Sequence, residues 1–299
     1  PRSTLFPYTT LFRSLVKFKL NVIFANLIAN FLGLAAMRVI MSMAGFQPFA
    51  LGGDDGSSPW RMALGLIPFS IGILVTMAYE RPLWKCMDAF YHNATISESV
   101  LAKARRRALN EPLFIVFMDT GLWLGAGVFL AFMQWRSGAP AGVIQVPFFS
   151  GLNTGLMISA YAYFLTEHVI QLHIVPYLFP QGDLVQETRA RRINIPARLL
   201  LLMSAINVIP FCSQMLLLNM IIKSGGQPAD LVQSLHLALT ASAGAFIVLG
   251  FVATIQVGLN MSIPFHDILR VLKSVRQGRY DQRVMVSSND EIGYTAEAV

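Results

Sequence analysis

The sequence predicts an all-α membrane protein: six transmembrane helices in three helical hairpins, followed by the start of a cytoplasmic helical module. Two observations set that class. The 299 residues are 55% hydrophobic and only 13% charged, with a mean hydropathy of +0.55. A soluble domain carries about 25% charged residues. The second observation is where the charge sits. Nineteen of the 23 Lys and Arg fall before the first apolar stretch, in alternate connections, or after the last stretch, counting Arg198 just inside the fifth. Basic residues collect in cytoplasmic loops, so both termini are expected inside. The net charge of +7 then belongs to topology and anionic lipid rather than to nucleic acid.

The elements follow in order. Residues 1–14, "PRSTLFPYTTLFRS", show no initiator Met and no signal-peptide core. They read as translated adapter sequence and are set aside from the fold, so the native start is expected elsewhere. An apolar helix of about 20 residues crosses the hydrocarbon core. Six stretches qualify, at 20–41, 60–79, 113–134, 143–165, 197–222 and 235–259. Together they make a transmembrane domain over residues 15–260, leaving 261–299 as the module. The outer connections are short and rich in Gly and Pro, too small for a folded sensor domain. The two inner ones read as partly helical, "SESVLAKARRRALN" starting at Ser97 and "GDLVQETRARRIN" behaving likewise. "RRALNEP" precedes span three and "RRINIP" precedes span five, so a helix break at Asn-x-Pro is expected before each. Duplication of a hairpin and convergent boundary signals both account for that repeat. Cys86 and Cys212 are too few for a disulfide framework and read as free thiols.

Polar residues inside the spans need a reason, because a charge in hydrocarbon costs at least ~2.5 kcal/mol. Asp119 in span three is either a carboxylate for a ligand or ion, or a hydrogen-bonded packing residue. Asn26 and Asn30 on span one, and Asn207 and Gln214 on span five, read as interhelical hydrogen-bond stripes. Gly121 and Gly125 form a small-xxx-small pair suited to close helix packing. Glu80 and Glu167 end the even spans and are expected to pair with Arg81 or with basic loop residues. His168 and His173 are five apart, which does not align them for a metal. No metal ligand and no catalytic residue is assigned.

The tail reads as a defined order of signals. Pro264 starts a helix. Phe265, Ile268, Leu272 and Val275 follow at steps of three, four and three, the a/d seam of a parallel coiled coil. Gly278 ends the helix at a left-handed position. Val284 and Val286 lie two apart on an extended connector. Ser287, Ser288, Asn289 or Asp290 can cap a second helix, Glu291 suits its positive end, and Ile292 and Gly293 complete "DEIG". This order resembles the HAMP signal-relay module over residues 264–299, cut short in its second helix. The resemblance implies a homodimeric four-helix bundle that buries Ile268, Leu272, Val275, Val284, Val286 and Ile292, with Glu291 holding the connector to the first helix.

Six spans, short outer loops, the RR-x-N-x-P exits and this tail together resemble the membrane region of six-span bacterial class III adenylate cyclases. That resemblance implies a cytoplasmic output domain beyond the present sequence, converting ATP to cyclic AMP with ATP and divalent metal as its own requirements. No cofactor is expected in these 299 residues. The membrane part of a histidine kinase or chemoreceptor, and a transporter with a regulatory tail, are the alternative readings. The stimulus is not encoded in any motif.

Overall fold

The computed structural model describes residues 24–35, 38, 59–92, 94–139, 141–179, 190–191, 193–223, 228–280, 284 and 290–297. Every regular element among them is helical. They are α1 (Phe24–Ala35), α2 (Pro59–Tyr91), α3 (Glu98–Arg136), α4 (Ala141–His173), α5 (Val175–Leu178), α6 (Ile195–Met203), α7 (Ile209–Lys223), α8 (Pro228–Arg276) and α9 (Glu291–Glu297). Three helical stretches, Glu98–Arg136, Ile195–Asn219 and Asp230–Arg276, are long and apolar enough to cross a membrane. The segment 1–14, most of the inner helix expected in "GDLVQETRARRIN" (residues 182–189), and Val286 lie outside the described residues.

Proline does not break the chain where its chemistry alone says it should. Pro112 sits inside α3, which runs 39 residues without interruption. A buried stripe of Ala104, Ala108, Glu111, Ile115 and Asp119 continues through it on one face. That continuous packing outweighs the ~3 kcal/mol an interior proline costs. So the break expected before span three is absent. At the second motif the break is present. Asn194 caps α6, its Oδ1 accepting from the Ala197 N–H at 3.1 Å. Asn110, freed from capping, accepts from the Arg191 N–H at 2.8 Å and ties the two motifs together. Between α6 and α7, Ser204–Val208 widens into a π turn just before Pro210. Pro210 has no N–H to give, and a π bulge absorbs that mismatch without ending the helix.

α3 and α4 form the most extensive helix pair. Their close approach rests on Gly127 and Gly151. A Cβ on Gly127 would meet the Pro147 carbonyl oxygen at 2.6 Å, and one on Gly151 would meet the Trp123 carbonyl oxygen at 2.6 Å. The small-xxx-small pair singled out in the sequence faces away: nothing lies within 4 Å of a Cβ on Gly121 or Gly125. The spacing was that of a packing motif, but the helix turns its other side to α4.

Among the described residues a small cluster of Tyr163, Phe164 and Val257 lies beside two larger cores. One lies among the apolar stretches and includes Ile115, Ile158, Ala162, Ile209 and Phe246. The other gathers Leu83, Met87, Ala108, Ile170 and Leu178 with Ile268, Val271, Val284, Ile292 and Ala296. That second core lies at the basic end of the bundle. It joins the end of α2, the start of α3 and the end of α4 to the end of α8, Val284 and α9. α8 reaches it as one helix of 49 residues that passes through Pro264, about 74 Å long. Pro264 therefore does not start a helix, and the boundary drawn at 261 falls inside a continuous rod. α8 ends at Gly278, which adopts φ +77° and returns its N–H to the Val275 carbonyl at 2.9 Å.

Candidate functional site

The basic-end core closes over a buried ionic junction. Four elements supply it. Glu167 lies near the end of α4, Arg198 in the first turn of α6, Asn260 within α8, and Asp290 just before α9. Arg198 is only 5% exposed. Its Nη2 lies 2.7 Å from Glu167 Oε1 and its Nη1 lies 2.6 Å from Asp290 Oδ2. Glu167 accepts two further hydrogen bonds, from the Tyr163 hydroxyl at 3.2 Å and from Asn260 Nδ2 at 3.3 Å. Asn260 Nδ2 also donates to the Phe164 carbonyl at 3.0 Å. With that amide donating, Asn260 Oδ1 is the acceptor, so His168 donates to it from Nδ1 at 2.8 Å. Asp290 Oδ1 meanwhile accepts from the Ile292 and Gly293 N–H groups at 3.0 and 3.1 Å, capping α9.

The electrostatics of this junction are unbalanced. Two carboxylates share one guanidinium in a site closed to water. Burial pushes the Glu167 carboxyl above its usual range, although Arg198 and Asn260 pull it down. Glu291 behaves oppositely: its own N–H and the Ile195 N–H hold it below the usual range on an open surface. Its Oε2 accepts from Ile195 N at 3.0 Å, so the acidic pair of "DEIG" grips the start of α6 twice. Beside the junction a cavity of about 40 Å³ is bordered by Gln171 and Arg198, room enough for one ordered water.

A second polar cluster lies among the apolar stretches. Asp119 is 2% exposed. Asn26 Nδ2 donates to its Oδ1 and Asn30 Nδ2 to its Oδ2, both at 3.3 Å. Asn30 also donates to Asn26 Oδ1 at 2.8 Å, and the Trp123 indole N–H donates to Asn30 Oδ1 at 3.0 Å. Three residues named separately in the sequence thus form one site between α1 and α3. Both carboxylate oxygens are engaged by amides, which is how a packing residue in an apolar interior is satisfied.

Glu80 ends in a different setting from the one expected. Arg81 is exposed on the next face of α2, so it does not pair with Glu80. The Trp84 indole N–H donates to Glu80 Oε2 at 2.9 Å, and the facing group is another acid, Glu111. Both acids are fully buried. Burial pushes the Glu80 carboxyl up to about 7, with hydrogen bonds from Glu111 and Trp84 opposing the rise. Glu80 lies within α2 and Glu167 near the end of α4, and only the second found an arginine.

Ile268, Val284 and Ile292 are buried within their own chain, and Val275 packs against the same core. Phe265 and Leu272 are exposed, at 47% and 45%. Asn207 lies in the π turn and donates to the Met203 carbonyl at 3.2 Å. Gln214 is half-buried on α7. Sequence reasoning counted Arg198 only as a topological charge and passed over Asn260, Glu111, Trp84 and Tyr163. An arginine just inside the edge of an apolar span was a signal available for the first. The others carry no local signal, because only the fold brings them together. No protein family, no curated protein and no solved structure matches the chain.

Proposed function

We propose that this chain is the sensory and relay region of a bacterial inner-membrane signalling protein. It works as a homodimer, with its six spans crossing the bilayer and its basic end in the cytoplasm. It passes a transmembrane change through a HAMP-like tail to a cytoplasmic output domain of the class III adenylate cyclase type. ATP and divalent metal serve that output domain, and no residue here takes a catalytic role. The observation that carries this reading is the path of α8. It runs from the apolar stretch through Pro264 to Arg276 as one helix, and the tail it leads into is tied to the bundle by Arg198. A rod that is continuous across the boundary transmits a shift or rotation to whatever it holds. The bilayer core takes up about 30 Å of that rod, leaving more than half of it to work outside.

The outward side of the tail supports pairing. Phe265, Leu269 and Leu272 are 47%, 63% and 45% exposed and recur at steps of four and three, a seam suited to a second parallel copy. The test is a chimera. A class III cyclase catalytic domain is joined after Val299 and expressed in cells lacking their own cyclase, and cyclic AMP is measured. One alanine inserted after Ser262 turns the lower rod by about 100°. Several-fold altered cyclic AMP at equal expression is the expected result; unchanged output overturns the relay.

A further inference from the structure

We propose that the Glu167–Arg198–Asp290 bridge is a latch, holding α9 against the bundle of its own chain and releasing it without damage to the bundle. Seven residues form no stable helix alone, so α9 exists because something holds it. Its apolar contribution is small: only Ile292 and Ala296, four apart on one face, enter the core. Two polar attachments reach α6. Glu291 accepts from Ile195 N at an exposed position, and Asp290 reaches Arg198 inside the core at 2.6 Å. The buried contact is the one that decides whether α9 stays.

The charge count makes that contact reversible. Arg198 faces two carboxylates, and one suffices to neutralise it. Glu167 is further fixed by Tyr163 and Asn260, and it belongs to the bundle. Asp290 belongs to the tail. If Asp290 leaves, the bundle keeps a neutral, hydrogen-bonded Arg198–Glu167 pair, and Asp290 gains water. No bare charge stays buried on either side, which is the condition that makes breaking most buried ion pairs costly. The two carboxylates therefore compete. Glu167 weakens the hold of Arg198 on Asp290, and the latch is set close to opening. Open, it frees the Ile292 and Ala296 face for a second chain. That purpose rests on the relay reading above; the latch itself is a property of the single chain.

The competition predicts opposite effects from two conservative changes. The full chain is placed in lipid nanodiscs with Cys212→Ser, leaving Cys86 buried. Ala296→Cys, at a position 4% exposed, reports on docking through its rate of maleimide labelling. Asp290→Asn keeps a capping residue but removes the charge, and labelling is expected to rise about tenfold or more. Glu167→Gln leaves Arg198 to Asp290 alone, and labelling is expected to fall below the parent rate. Hydrogen exchange at the α9 amides in chains with Ala296 intact is expected to give the same order, guarding against disturbance by the reporter. Rates unchanged in both variants, or shifted in the same direction, overturn the latch. Shifted rates beside a chimera whose cyclic AMP ignores them leave the latch standing and remove the relay.

Discussion

Arg198 is the residue on which most of the basic-end core depends. Replacing it by Met would leave Glu167 and Asp290 buried together with no cation. Loss of one partner from such a site costs about 3–5 kcal/mol, so a clear drop in thermal midpoint is expected, larger than that for Asp290→Asn. Glu80 gives a pH signature. Its carboxyl titrates near 7 in the folded chain, against an ordinary value of 4.5. The folded state therefore holds more proton than the unfolded state between those values, and stability falls as pH rises through that window. Glu80→Gln should flatten this fall, read as the thermal midpoint between pH 5 and pH 8. The acids themselves were legible in the sequence, since a carboxylate at the end of an apolar stretch stands out. Their partners were not. Arg81 is adjacent in sequence yet points elsewhere, whereas Glu111 and Arg198 arrive from other helices.

At the level of elements, glycine and proline were read correctly as special but given the wrong jobs. Gly121 and Gly125 have the spacing of a packing motif and meet nothing, while Gly127 touches backbone. Gly127→Ala must displace the Pro147 carbonyl and is expected to cost about 1–3 kcal/mol. Gly121→Ala should be neutral or gain about 0.5–1 kcal/mol from helix propensity. Unfolding of both variants in one detergent titration separates them. Pro112 and Pro264 illustrate the same limit. A proline sets a local penalty that sequence reasoning sees, and a long buried face sets a larger gain that it does not. Gly278 went the other way: a left-handed terminus depends on a few neighbouring atoms, so its role was readable from the chain alone.

At the level of the whole molecule, composition was enough for an all-helical chain with helices fit to cross a membrane, because burying apolar surface in lipid constrains every turn. What composition could not reveal is that the tail joins the basic-end core of its own chain, with Ile268, Val271 and Ile292 facing inward. The a/d seam expected from spacing is thereby split. Ile268 and Val275 serve the chain's own core, and Phe265, Leu269 and Leu272 remain for a partner. The relay account stands or falls on that division. Disulfide trapping in cell membranes tests it most directly, using Leu269→Cys or Leu272→Cys with Cys212→Ser, and Ile268→Cys for comparison. The account predicts covalent dimers at both outward positions and none at 268. Monomer alone at 269 and 272 under oxidising conditions would contradict it.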